Sequence, residues 1–143
     1  MLSLSPCCTR CNSPIELVTE NKSTLRILNS NRLTFNKCKV DGCLIRNGIR
    51  CDWLLTHDEA QRESYVELKG AYVEHAVKQI VRSVQQLTSN PRAKKTGYII
   101  CTRSPLSSPK IQLLSKRLLR DHNIVLRVKK TVCEESIESV FLM

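Results

Sequence analysis

The amino-acid sequence predicts an α/β fold in which a central mixed β-sheet is flanked by helices, within a single domain. Two features of the pattern predict it. Short apolar runs with strand-like alternation dominate the first half of the chain, whereas helical and strand-like segments alternate in the second half. The chain has 143 residues, of which 41% are hydrophobic, and this size suits one domain with one core. A mixed sheet covered by helices buries both kinds of segment.

The first half of the chain contains one short helix and several strands by its local pattern. Ser13-Pro14 favours a helix over residues 15–20, and residues 25–28 and 33–40 alternate in the strand period. Asp41-Gly42 and Asn47-Gly48 are turn signals before the next strand. We therefore divide the chain into a cysteine-containing N-terminal segment with a weak helix, residues 1–32, and a core of residues 33–143.

The second half contains the clearest helix, which the sequence predicts over residues 71–88. Its apolar residues recur at helical spacing, and Asn90-Pro91 ends the run. A buried strand is expected at residues 97–102, a helix at residues 108–120 and a last strand at residues 124–128. Each helix then connects two strands of the predicted sheet.

Two acidic residues lie on successive strand-like runs, Asp52 on the first and Glu67 on the second. Side chains at positions i and i+2 of a strand share a face, so Glu67 and Lys69 project together. The polar segment 56–64 has the composition of a hairpin loop, which would place the two runs side by side. Carboxylates on one face are hard oxygen ligands for Mg²⁺ or Mn²⁺. The plainer alternative is that these are exposed charges on an edge strand, with Asp52 capping a turn.

Asp52, the fourteen-residue gap, Glu67-Leu68-Lys69 and the following helix together resemble the PD-(D/E)xK nuclease superfamily, which includes restriction enzymes, Holliday-junction resolvases and RecB-type nucleases. The resemblance covers about residues 33–128, although Cys51 stands where the family has proline. It implies a restriction-endonuclease-like sheet and metal-dependent hydrolysis of phosphodiester bonds.

The same resemblance assigns roles to individual residues. Asp52 and Glu67 would hold Mg²⁺ or Mn²⁺, and Lys69 would orient or activate the attacking water. Gln79 matches a helix glutamine that RecB-like members carry near the site. The family's additional acid has two candidate matches, Glu16 and Glu20.

From these features we expect an endonuclease that acts on DNA rather than RNA, as a homodimer, in a genome-defence, mobile-element or recombination system. The alternative is a non-catalytic module that binds nucleic acid or a protein partner, with zinc as a structural staple. Divalent-metal-dependent cleavage separates the two classes.

Positive charge is concentrated in residues 91–130, which hold eleven basic residues and a single acidic one, while the whole chain has a formal charge of +10. Such concentration favours a polyanionic partner, of which nucleic acid is the commonest. The candidate nucleic-acid-binding residues are Arg92, Lys94, Lys95 and Arg103. A solvated basic surface without a partner is the simpler alternative. Aromatic residues make up only 4% of the chain, which argues against recognition of single strands by stacking.

Eight cysteines remain to be explained. The chain shows no signal peptide and no membrane-spanning stretch, so we expect a cytoplasmic protein with reduced cysteines and no membrane partner. Cys8-x2-Cys11 and Cys38-x4-Cys43 have the spacings of a structural zinc site, and these four are the candidate Zn²⁺ ligands. Buried thiols explain the same residues equally well.

Overall fold

The computed structural model describes residues 5–68, 72–102 and 107–143, and within them it shows one small α/β domain. In chain order the elements are β1 (Cys8–Cys11), β2 (Ile15–Glu20), β3 (Ser23–Leu28), β4 (Phe35–Lys39), β5 (Trp53–His57), β6 (Arg62–Leu68), α1 (Val73–Leu87), β7 (Lys95–Cys101), α2 (Ser108–His122), β8 (Ile124–Lys130), β9 (Val132–Ser136) and α3 (Ile137–Val140). No helix in these ranges is long and apolar enough to cross a membrane.

Six of the strands form a mixed sheet in the order β1-β4-β5-β6-β7-β8. The neighbours from β1 to β6 run antiparallel, and β6, β7 and β8 run parallel. A short loop closes the β5–β6 hairpin, as the sequence predicts. Parallel neighbours need a crossover, which α1 supplies between β6 and β7 and α2 supplies between β7 and β8.

The sheet separates two apolar cores because side chains alternate between its faces. The helix-side core packs beneath α1 and α2 and includes Leu54, Tyr65, Ile80, Ile99 and Ile124. The opposite core, here called the sheet-side core, includes Leu25, Ile27, Phe35, Val66 and Tyr98. A second sheet of order β2-β3-β9, together with α3, covers that face.

Helix α1 forms where the sequence predicts it because its apolar positions fall on one stripe. Val73, Val77, Ile80 and Val84 are buried against the sheet. The helix can approach β7 closely because Gly97 has no side chain: a Cβ there would lie 3.0 Å from Cγ2 of Ile124 and 3.3 Å from Cγ2 of Ile80.

Replacing Gly97 with alanine is therefore expected to destabilise the protein by about 1–3 kcal/mol, the usual cost of overpacking a core. Alanine elsewhere in a strand restricts the unfolded chain and is favourable, so a loss of stability isolates the steric clash. Urea unfolding of the single variants and of the Gly97→Ala/Ile124→Ala pair measures it. The Gly97→Ala cost should shrink in the Ile124→Ala background, and an equal cost there would contradict the clash.

The N-terminal segment differs from the expectation. Residues 15–20 form strand β2 rather than a helix, and every residue of β2 pairs with β3. Val18 is buried, whereas Ile15 and Leu17 are exposed. Because only one apolar side chain of β2 is buried, the two-residue period of the strand is not visible in the sequence. In the part described, this segment contributes to both sheets, since β1 joins the central sheet and β3 pairs with β9.

Four of the cysteines form disulfides, Cys7 with Cys43 and Cys8 with Cys38, so the expectation that all eight are reduced is wrong for these. Cys11 cannot join Cys8 in one ligand set. The two lie three residues apart on β1, and an odd separation places them on opposite faces of the sheet. Cys8 packs against the helix-side core and Cys11 lies in the sheet-side core. Disulfides are rare in cytosolic proteins, so a cytoplasmic location stays a prediction.

Candidate active site at the ends of β5 and β6

A polar cavity of about 350 Å³ brings together three of the predicted site residues, Asp52, Glu67 and Gln79. It lies on the helix side of the central sheet. Its complete lining is Asp41, Gly48, Ile49, Arg50, Asp52, Glu67, His75 and Gln79. Both acids and Gln79 of α1 thus line the same cavity.

The strand pairing of the hairpin places Asp52 opposite Glu67. Trp53 of β5 pairs with Val66 of β6, and the N–H of Asp52 donates to the carbonyl of Val66 at 3.1 Å, so the next opposed pair is Asp52 and Glu67. Opposed residues of an antiparallel pair share a face, with Cβ atoms about 4.5–5.5 Å apart. Both side chains are buried, with 4% and 5% exposure. Oδ2 of Asp52 accepts a hydrogen bond from the N–H of Leu68 at 2.7 Å.

Two buried carboxylates held face to face suit a hard divalent cation, because their oxygens are the ligands that Mg²⁺ prefers and a cation offsets their mutual repulsion. Among the residues that the structure describes, no group of three or more His, Cys, Asp or Glu side chains is placed to hold a metal. Asp52 and Glu67 would then be the protein's carboxylate ligands, with water and substrate oxygens completing the shell, as is usual for Mg²⁺. Lys69 lies outside the described residues, so its role stays a prediction.

Two hydrogen bonds connect helix α1 to the segment that carries Asp52. Nε2 of Gln79 donates to the carbonyl of Arg50 at 3.0 Å, and the N–H of Cys51 donates to Oγ of Ser83 at 2.8 Å. Ser83 in turn donates to the carbonyl of Gln79. Gln79 therefore both lines the cavity and fixes the strand that presents Asp52.

Cys51, directly before Asp52, is fully buried. The pKa of its thiol is raised to about 12, mainly by burial and to a smaller extent by the nearby carboxylates of Glu67 and Asp52. The hydrogen bond with Ser83 opposes that shift only in part. The thiol therefore stays neutral near pH 7 and does not act as a nucleophile.

Asp41, which the sequence reasoning treated only as part of a turn, also lines the cavity. The turn folds back on Asp52: the N–H groups of Val40 and Asp41 donate to its carbonyl at 2.9 and 3.3 Å. The carboxylate of Asp41 accepts a hydrogen bond from Nε of Arg50 at 2.7 Å. The sequence did contain a signal for this residue, namely an acidic side chain in a turn before the strand that follows Asp52.

Neither Glu16 nor Glu20 lines the cavity. Glu20 pairs with Lys39 at 3.0 Å, and the ammonium of Lys39 lies over the ring of Trp53, which packs on the sheet-side core. The strand thus turns this acid toward the face opposite Asp52. Glu16 accepts a hydrogen bond from the N–H of Ser13.

The three predicted nucleic-acid-binding residues that the structure describes, Arg92, Lys94 and Lys95, do not form one surface. Lys95 is buried, and its ammonium donates to the carbonyls of Asn90, Pro91 and Ala93, so it is not available to a phosphate. Arg92 and Lys94 are exposed but precede β7, in which Ile99 pairs with Glu67. Lys94 lies five residues before Ile99, which corresponds to about 16 Å along the strand. Arg103 lies outside the described residues.

A basic residue that the sequence reasoning did not single out lies nearer the cavity. Lys130 ends β8 and shares the helix-side face with Ile124 and Val128, which are two-residue steps along the same strand. Val128 pairs with Ile99, which is itself paired with Glu67. Lys130 therefore lies about 12 Å from Glu67, two strands across and two residues further along.

Comparison of the chain with known protein families, with curated proteins and with solved structures finds no match in any of the three. The fold and the site therefore stand on their own geometry.

Proposed function

We propose that this protein is a Mg²⁺-dependent nuclease of the PD-(D/E)xK type, with its mixed sheet in the role of the restriction-endonuclease-like core. One observation carries the proposal: Asp52 and Glu67 are buried, opposed on one hairpin and open to a single polar cavity. Ionisable side chains that are buried and face a polar cavity are frequent at functional sites.

The residues of the site have separate roles in the proposed hydrolysis of phosphodiester bonds. Asp52 and Glu67 hold the cation, which when bound supplies charge for the scissile phosphate and lowers the pKa of a bound water. Lys69, two residues after Glu67 in the sequence, orients the attacking water and offsets charge that develops on the phosphate oxygens. Gln79 keeps the Asp52 segment in place through the carbonyl of Arg50.

DNA is the proposed substrate, and cutting both strands of a duplex calls for two copies of so small a domain, so we propose a homodimer. A role in genome defence, mobile elements or recombination belongs to the same proposal. The competing proposal is a binding module without catalysis, favoured by the net charge of +10.

Incubation with duplex, single-stranded, branched DNA and RNA, each with Mg²⁺, Mn²⁺ or EDTA, tests the proposal. The nuclease cuts at least one substrate with either metal and none with EDTA. Salt-dependent binding of the panel without cleavage under any condition would instead support the binding module.

Lys130→Ala is expected to weaken binding of a short DNA duplex and to reduce the dependence of log Kd on log salt by about one phosphate contact. The control is Arg92→Ala/Lys94→Ala, which removes two exposed charges at the other end of the sheet and should nevertheless weaken binding less than Lys130→Ala does. Binding titrations at several salt concentrations measure both. A larger loss in the control than in Lys130→Ala would place the nucleic acid along the Arg92 end of the sheet.

A further inference from the structure

A groove of about 330 Å³ lies between helices α1 and α2. The residues that α2 contributes are spaced at i, i+3, i+4 and i+7, so they form one continuous stripe of the helix: Lys110, Leu113, Leu114 and Arg117. The residues that α1 contributes are spaced at i, i+3 and i+4 and also share one side: Glu74, Val77 and Lys78. Two stripes of mixed apolar and charged side chains therefore line the groove.

The apolar part of the groove is only partly covered by the protein itself. Leu113 is 53% exposed, and Leu114 is half-buried at the margin of the helix-side core. Of the 15 residues of α2, all of which the structure describes, Leu118 alone is buried. Apolar surface that stays in contact with water is unfavourable, and a concave patch of it is typical of a binding surface. The groove thus has an open apolar floor.

Cations surround this floor. Lys78 of α1 and Lys110 and Arg117 of α2 line the groove together with one acid, Glu74. Among the residues that the structure describes, none of these three cations forms an ion pair. Their charge is therefore available to a partner, and carboxylates are complementary to it.

We propose that the groove binds an acidic amphipathic helix of another protein. The apolar side chains of that helix, at helical spacing, fill the floor beside Leu113 and Leu114. Its carboxylates pair with Lys110 and Arg117 at the rim. One ligand then removes the exposed apolar surface from water and supplies the anions that the rim lacks.

Two other occupants fit the groove less well. A second copy in a two-fold contact would place the same three cations against each other, and like charges across an interface oppose binding. The backbone of a nucleic acid matches the cations, but it offers phosphates and sugars rather than an apolar side chain to cover Leu113. The combination of an apolar floor with a basic rim favours an acidic protein segment.

The groove and the candidate active site lie on different sides of helix α1. His75 and Gln79 line the cavity, whereas Glu74 and Lys78 line the groove, and each residue advances about 100° around a helix. A helix bound in the groove would therefore lie beside the cavity. The inference does not depend on the proposed nuclease function, because binding is measured without activity.

The test is selection from a displayed library of random peptides, each about 16 residues long, on the immobilised full chain. Enriched peptides are expected to carry large apolar side chains at helical spacing with aspartate or glutamate beside them. A synthetic copy of the most enriched peptide is then titrated by fluorescence anisotropy. Leu113→Ser should weaken its binding at least ~10-fold, and Lys110→Ala/Arg117→Ala should weaken it and reduce its dependence on salt.

Leu119→Ser and Lys116→Ala are the matched controls, because both side chains are exposed on α2 and neither lines the groove. They should leave the affinity within about twofold of the wild type. Circular dichroism checks that every variant is folded. The absence of enriched acidic peptides, or an enriched peptide that binds Leu113→Ser as tightly as the wild type, overturns the proposal.

A short DNA duplex titrated against the same variants separates a protein partner from nucleic acid. Leu113→Ser should leave the affinity for the duplex unchanged, since the duplex has no apolar side chain to place there. A loss of duplex binding of about tenfold or more in Lys110→Ala/Arg117→Ala, without a loss of peptide binding in the same variant, would assign the rim to nucleic acid and contradict the proposal.

Discussion

Glutamine in place of Glu67 is expected to lower the rate of Mg²⁺-dependent cleavage by ~10³-fold or more while the protein stays folded. Glutamine keeps the volume of the side chain but removes the charge that opposes Asp52 across the hairpin. A metal that stabilises transition-state charge contributes several kcal/mol, and each 1.4 kcal/mol is about tenfold in rate. Single-turnover cleavage over a range of Mg²⁺ concentrations measures the loss, and thermal melting measures the fold.

Glu59→Gln is the control for this substitution, because Glu59 is an exposed acid on the loop of the same hairpin and does not line the cavity. It should leave rate and Mg²⁺ dependence unchanged. Asp52→Asn and Lys69→Met should be as inactive as Glu67→Gln. A folded Glu67→Gln protein that cuts as fast as the wild type would show that the opposed carboxylates are not the catalytic centre.

The central sheet could be predicted because its strands and helices carry their own signals. Residues 71–88 show helical spacing of apolar side chains, and α1 occupies Val73–Leu87. The β2 strand could not be predicted, since its stability comes from pairing with β3 and not from its own alternation. The same holds for β9, a parallel partner of β3 that is more than a hundred residues away in the chain.

The candidate site shows the same division between local and long-range information. The acids Asp52 and Glu67 could be found because a hairpin brings together residues close in sequence. Neither the contribution of Asp41 nor the burial of Lys95 could be read from the sequence, because each depends on where a turn folds back. Composition counts a lysine as surface charge, but the ammonium of Lys95 is enclosed by three carbonyls of its own loop.

Glu63→Ala is expected to be the most destabilising substitution away from the cavity, at about 3 kcal/mol or more. The carboxylate is buried and accepts four hydrogen bonds, from the hydroxyls of Tyr65, Thr88 and Ser89 and from the N–H of Ser89. These contacts join β6 to the end of α1. Burial raises the pKa of Tyr65, so its phenol stays a neutral donor, and alanine would leave it and the other donors without an acceptor.

Urea unfolding of Glu63→Ala, Glu63→Gln and Glu59→Ala separates this network from a general effect of charge. Glutamine keeps one acceptor oxygen and should cost less than alanine, whereas Glu59→Ala at the exposed loop should stay within about 0.5 kcal/mol of the wild type. Because α1 carries Gln79 and Ser83, which hold the Asp52 segment, loosening the helix end should also lower activity at temperatures where the protein is still folded. A Glu63→Ala protein within 1 kcal/mol of the wild type would mean that water replaces the carboxylate and that the network does not secure the helix.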